Sequence, residues 1–278
     1  MRLDAHQHFW NYTENAADFV WMTDDLGVLQ HNFLPADLAP LLAAANMDGC
    51  IAVQAREVQA ETDYLLELAA SNPTIKGVVG WVDLCARDVE ALIEPYSDTP
   101  ALKGFRMLIH DRRDADFADS AEHARGVASL AKFGLTYDLL LRTIHLPSAI
   151  RLVDSLPDQP FVVDHIAKPK MDGSDWEAWH FGMQEIAKRP NVLCKLSGLV
   201  TEADWSDWQA SSFTPYLDTV LEAFGANRLM IGSDWPVCTL AADYQSTLDI
   251  VTSWANRLSE AEQAAIMGTT CAEFYSVK

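Results

Sequence analysis

Short apolar runs rich in β-forming residues alternate along the chain with longer amphipathic stretches. The runs predict strands over 2–6 (RLDAH), 49–55 (GCIAVQA), 75–83 (IKGVVGWVD) and 102–108 (LKGFRML). They continue over 135–141 (LTYDLLL), 161–166 (FVVDHI), 191–197 (NVLCKLS) and 228–234 (RLMIGSD). Between them lie segments with helical spacing, such as 61–71 and 120–133. In the first of these, Leu65, Leu68 and Ala69 recur at i, i+3 and i+4, which puts an apolar stripe on one helix face.

Most strand starts follow one another at intervals of about 30 residues, the length of one strand plus one crossover helix. The first and last intervals are longer and leave room for loops bearing Trp10, Trp21 and Met22, and Trp205 and Trp208. Eight regular units predict an α/β fold of the (β/α)8, or TIM barrel, kind rather than an open doubly wound sheet. No linker or low-complexity stretch interrupts the pattern, so a single domain over 1–278 is expected. Active sites of such barrels lie at the C-terminal ends of the strands. The polar residues there are His6 and His8, Gln54 and Arg56, Trp81 and Asp83, and Arg106 and His110. Then come Tyr137 and Asp138, Asp164 and His165, Lys195 and Ser197, and Ser233 and Asp234.

Composition narrows the partners more than the fold. The formal charge of −20 at pH 7 repels nucleic-acid backbones and anionic membrane surfaces, so neither is an expected partner. With 49% hydrophobic residues the chain can fill one large core, yet no apolar run is long enough to span a bilayer. The N-terminus reads as lacking a secretory signal, with Asp4 and His6 where its apolar stretch would fall. Five scattered cysteines without a CxxC pair read as reduced thiols, and the expected location is the cytoplasm.

His6 and His8 are two residues apart, so on a strand both side chains point the same way. At the mouth of a barrel they would either bind one metal or donate two hydrogen bonds to one substrate oxygen. His165 closes the sixth run and Asp234 the eighth. A carboxylate after Met-Ile-Gly is costly to bury unless paired. Barrel closure sets strand eight beside strand one, which would bring Asp234 to the histidines.

An HxH pair on strand one, His on strand six and Asp on strand eight resemble the amidohydrolase superfamily. The stretches LDAHQHFW, VQAREVQAETDYLLELA, GFRMLIHD, VVDHIAKP, CKLSGL and GSDWPVC resemble the lactonase branch of its amidohydrolase-2 group. That branch includes L-fuconolactonases and L-rhamnonolactonases. The resemblance implies a carboxylic ester hydrolase that opens a sugar lactone by water attack. Asp234 would be the general base, with His165 and Arg106 also catalytic and Arg106 stabilising the oxyanion. His6, His8, His165 and Asp234 would hold a metal if one is bound. The site would then need either no cofactor or one divalent ion, with zinc expected. A bridging carboxylated lysine is not expected, because the fourth run carries Lys103 near its start and Arg106 towards its end.

His6, His8, Gln54, Arg56, Trp21, Trp81, Tyr137 and Lys168 are the candidate substrate contacts, with Lys195 open between substrate binding and pairing with an acid. His110, His145 and His180 are expected at the surface or at helix caps. Arg56, Arg106, Arg112 and Arg142 are too few rim cations for a strongly anionic ligand, which favours a neutral, hydroxyl-rich lactone. Dicarboxylate or sulfonate lactones, zinc-dependent decarboxylation and a non-catalytic sugar-binding barrel stay open as alternatives, as does a homo-oligomer.

Overall fold

The computed structural model describes residues 1–278. Its eight strands are β1 (Leu3–Gln7), β2 (Gly49–Val53), β3 (Ile75–Gly80), β4 (Leu102–Met107), β5 (Thr136–Leu139), β6 (Phe161–Val163), β7 (Val192–Leu196) and β8 (Leu229–Ile231). They pair in parallel and in chain order. The barrel closes beyond β8, where Trp235 bridges to Gln7 and the His8 amide donates to the Trp235 carbonyl at 2.7 Å. The Asp234 amide adds a bond to the His6 carbonyl at 2.8 Å.

Crossover helices α1 (Pro35–Ala44), α2 (Gln59–Ser71), α3 (Val89–Ile93), α4 (Ala121–Leu130), α5 (Leu146–Ser155), α6 (Trp176–Ile186), α7 (Ala210–Phe224) and α8 (Tyr244–Ala255) surround the strands. The single (β/α)8 barrel read from the sequence is the observed fold. The strands are shorter than the runs suggested, most of all β6 and β8, because the backbone leaves extended geometry before the site residues.

Two apolar layers hold the barrel. One lies between strands and helices and includes Val78, Phe105, Tyr137 and Phe161. The other fills the interior with Leu3, Ala5, Ile51, Val53, Val79, Val162 and Met230. Cys271 and Tyr275, from the C-terminal helix Thr270–Phe274 and the residue after it, join this interior cluster and plug the end opposite the mouth. Burying each large apolar side chain contributes about 1.5–3 kcal/mol.

The register of β1 against β2 shifts between Asp4 and Gln7. Leu3 and Ala5 face the interior, while Asp4 turns to the helix side, where Ser233 and Tyr244 donate to its carboxylate at 2.6 and 3.0 Å. Strict alternation would then send His6 outward. The extra residue of the irregularity brings His6 and His8 back inside, the re-aiming that β-bulges provide near active sites. No helix is long and apolar enough to cross a membrane.

Candidate active site

Asp234 is the hub of the mouth. Its Oδ1 lies 3.3 Å from His8 Nε2, 3.7 Å from His165 Nε2 and 3.9 Å from His6 Nε2. All four side chains are buried. Burial alone would raise the Asp234 pKa, but the contacts with His165, His8 and His6 hold it well below the ordinary carboxylate range. Asp234 is therefore a carboxylate at neutral pH. Burial pushes His165 down to about 3 and His6 well below its usual value, so these two rings are neutral.

The outer nitrogens of the rings decide the tautomers. His8 Nδ1 sits 2.7 Å from the Val53 carbonyl, which can only accept. Arg106 Nη1, which can only donate, lies 3.0 Å from His6 Nε2. His6 Nδ1 lies between Asp164 Oδ1 and the Lys195 ammonium, each at 3.3 Å. His165 Nδ1 pairs with Ser197 Oγ at 2.9 Å. His6 Nε2, His8 Nε2 and Asp234 Oδ1 converge at the floor of the mouth, a donor set that can take a cation. The 3.3 Å between His8 and Asp234 is the spacing of two ligands about 2.0–2.1 Å from a tetrahedral zinc, and His165 and His6 stand a few tenths of an ångström wider. Second partners on Nδ1 are also the usual support of metal-binding imidazoles. His6, His8 and Asp234 form a group able to hold an ion, and His6 would exchange its contact with Arg106 to take part.

Beneath the histidines lies a sealed set of charges. Arg106 Nη1 donates to Asp164 Oδ2 at 3.0 Å, and its Nε and Nη2 donate to Gln54 Oε1 at 2.8 and 2.7 Å. Lys195 Nζ lies 2.6 Å from Asp138 Oδ2 and 3.0 Å from Asp164 Oδ1. The Tyr275 hydroxyl donates to Asp138 Oδ2 at 2.7 Å. Desolvation raises Asp138 to about 6 against the pull of Lys195. Asp164 goes the other way, because Lys195 and His6 together outweigh its burial.

Local backbone geometry aims the key side chains. His165, Ile166, Ala167 and Lys168 all have φ between 47° and 62°. Left-handed residues other than glycine cost about 1 kcal/mol or more each, and most for a β-branched residue such as Ile166. The turn is held by burial of Ile166 and Ala167 and by Trp179 Nε1, which donates to the Ile166 carbonyl at 2.7 Å. Its first and last residues, His165 and Lys168, both face the cavity. Two glycines clear the space. A Cβ on Gly198, which is itself left-handed, would stand 2.5 Å from His165 Nδ1, and one on Gly232 would stand 2.8 Å from the His6 Cβ.

The cavity above Asp234 encloses about 220 Å³, small enough to suit a compact ligand. His8, Arg106, His165, Asp234, Lys168 and Trp21 line it, as anticipated from the sequence, together with Trp10, Leu108, Leu140 and Arg142. His110, expected at the surface, also lines it and pairs with Asp111 at 3.0 Å. The structure does not bring the remaining candidates to the wall. Tyr137 is fully buried on the helix side of β5 and bonds His123 Nε2 at 2.7 Å. Adjacent strand residues face opposite ways, so Asp138 takes the interior position instead. Arg56 is held by Glu61 and Asp18 at 2.6 and 2.8 Å. Gln54 lies beneath the wall against Arg106, and Trp81 is tied by its backbone to Thr62 Oγ1. His6 sits just below the cavity, between Arg106 and Lys195. The sequence marks Asp164 and Asp138 only as polar strand ends, and nothing in it marks Glu202.

A parallel eight-stranded barrel with HxH at the end of strand one, His after strand six and Asp after strand eight defines the amidohydrolase class of site. The chain belongs to the amidohydrolase family, which it matches over residues 3–277. It is 42% identical to an L-fucono-1,5-lactonase of Burkholderia multivorans, covering 100% of this chain and 96% of the relative. It is 36% identical to an L-fucono-1,5-lactonase of Burkholderia ambifaria, covering 99% and 96%. A crystal structure of an amidohydrolase from Burkholderia multivorans with bound zinc superposes with a TM-score of 0.95, at 42% identity and 100% coverage of both chains.

Proposed function

We propose that this chain is a lactonase that opens a neutral sugar lactone of the L-fucono-1,5-lactone class to its hydroxy acid. The observation that carries this reading is Asp234, an ionised carboxylate ringed by His6, His8 and His165 on the floor of a small cavity. The relatives named L-fucono-1,5-lactonase give the substrate class.

Asp234 takes a proton from the attacking water as its oxygen bonds to the lactone carbonyl carbon. The carbonyl oxygen gains negative charge, and Arg106 and the imidazoles stand beside it as donors and polar partners. When the ring C–O bond breaks, Asp234 returns the proton to the departing ring oxygen. The product acid then loses its own proton to solvent at neutral pH. A lactone is an activated ester, so one base and well-placed donors can suffice. A divalent metal such as zinc, held by His6, His8, His165 and Asp234, would acidify the water and polarise the carbonyl. Trp21 offers a flat apolar surface to one sugar face, and Lys168 offers an ammonium to hydroxyls. Gln54 acts through Arg106, whose fork it braces.

Neutral substrates are favoured over dicarboxylates because the cations lining the cavity are already engaged: Arg106 pairs with Asp164, and Lys168 and Arg142 with Glu202. The test is hydrolysis of a panel of 1,4- and 1,5-sugar lactones followed with a pH indicator, before and after chelation. Turnover of L-fucono-1,5-lactone is expected. No turnover of any lactone, with or without added zinc, would overturn the reading.

A further inference from the structure

Two cations on the outer wall of the cavity share one acid behind it. Lys168 Nζ lies 2.9 Å from Glu202 Oε1, and Arg142 Nη1 lies 3.2 Å from Glu202 Oε2. Lys168 and Arg142 line the cavity; Glu202 does not. The Glu202 and Lys168 side chains are mostly buried, at 13% and 12% exposure. The same left-handed turn that delivers His165 delivers Lys168, so the backbone strain positions both. A chain with a net charge of −20 has thus gathered positive charge at this rim and then cancelled half of it.

The reaction explains why cancellation matters. The lactone enters uncharged and leaves as an anion. Two uncompensated cations at the exit would hold that anion, and would equally admit lactones bearing a free acid group. We propose that Glu202 is a specificity-determining counter-ion: it keeps Lys168 and Arg142 available as donors to hydroxyls while preventing them from trapping carboxylates. Glu202 acts on the substrate through these two side chains, so it is a positioning residue. The inference rests on the lactonase reading above.

Glu202→Gln keeps the shape and removes the charge. Calorimetric titration with sodium L-fuconate should show affinity tightened by about tenfold at low salt, because a nearby opposite charge is gone. The gain should shrink as ionic strength rises towards 1 M, where the screening length is about 3 Å. In turnover, product inhibition should strengthen by a similar factor relative to the KM for L-fucono-1,5-lactone. A lactone with a free carboxylate, such as glucaro-1,4-lactone, should gain ground against the neutral one. Lys168→Met should weaken L-fuconate binding, and the double variant Lys168→Met/Glu202→Gln should return it close to wild type, since the net charge of the group is then again +1. Unchanged L-fuconate affinity in Glu202→Gln would overturn the proposal, whatever Lys168→Met does. If Glu202→Gln does not fold, the same titration on Glu202→Ala, which removes the same charge, decides. The titration is independent of turnover, so absence of any lactonase activity in the wild type would sink the lactonase reading separately.

Discussion

The barrel contains two clusters of charge that differ in what surrounds them. At the floor, Asp138, Asp164, Lys195 and Arg106 are almost wholly buried and bonded to one another, and Tyr275 seals them from below. At the rim, Arg142 is 45% exposed and shares its acid with Lys168. Of the floor cluster only Arg106 reaches the cavity; Asp138, Asp164 and Lys195 have no access to solvent, so each needs its partner. At the rim Arg142 faces water, which substitutes for its lost partner, while Lys168 and Glu202 are mostly buried and keep each other. The contrast separates positions that support the fold and aim the catalytic groups from positions at which substrate preference can change at little cost to folding.

Removing a floor charge should have the largest effect. Lys195→Met leaves Asp138 without its cation and Asp164 with Arg106 alone. Breaking a buried pair from one side costs about 3–5 kcal/mol. Equilibrium unfolding in urea should show a loss of that size, and adding Asp138→Asn should recover part of it, because the stranded charge is then gone. A loss below about 1 kcal/mol would mean the floor behaves like a surface cluster and would remove the distinction.

Asp234 stands between the two regions, buried like the floor but opening on the cavity. Asp234→Asn removes the proposed base while keeping the size of the side chain. Expected is a fall in kcat of about a hundredfold or more, typical of a lost general base, measured on L-fucono-1,5-lactone. Its unfolding midpoint should change far less than that of Lys195→Met. Near-wild-type turnover would take Asp234 out of the mechanism and leave it a structural acid.

The difference between the regions also marks where the sequence could be read. Strand-and-helix rhythm announced the barrel because its period is repeated eight times and each unit buries an apolar run. Asp234 and the three histidines around it were legible because barrel closure dictates which strand ends meet. Orientation within a strand was less accessible. LTYDLLL offers both Tyr137 and Asp138, and only the register shows that Asp138 faces inward. The irregularity between Asp4 and Gln7, which turns His6 inside after Ala5, leaves no mark in the amino acids. Nor does the left-handed turn from His165 to Lys168, which contains no glycine and depends on contacts with Trp179, distant in the chain. Pairings across loops were out of reach for the same reason. Arg56 ends a strand run like a substrate contact, but its guanidinium is taken by Asp18 and Glu61.

The smallest effect belongs to the rim, and it is the one that separates the regions most cleanly. Arg142→Ala removes a partly exposed guanidinium whose ion pair with Glu202 spans 3.2 Å. Exposed pairs contribute about 0–1 kcal/mol, since water solvates both partners when they part. Glu202 also keeps Lys168, so no buried charge is stranded. Urea unfolding should therefore move by less than about 1 kcal/mol, and raising the salt should not widen the gap from wild type. A loss of several kcal/mol would mean that the rim pair supports the fold as the floor does. In that case changes at Arg142 could not alter substrate preference without also destabilising the protein.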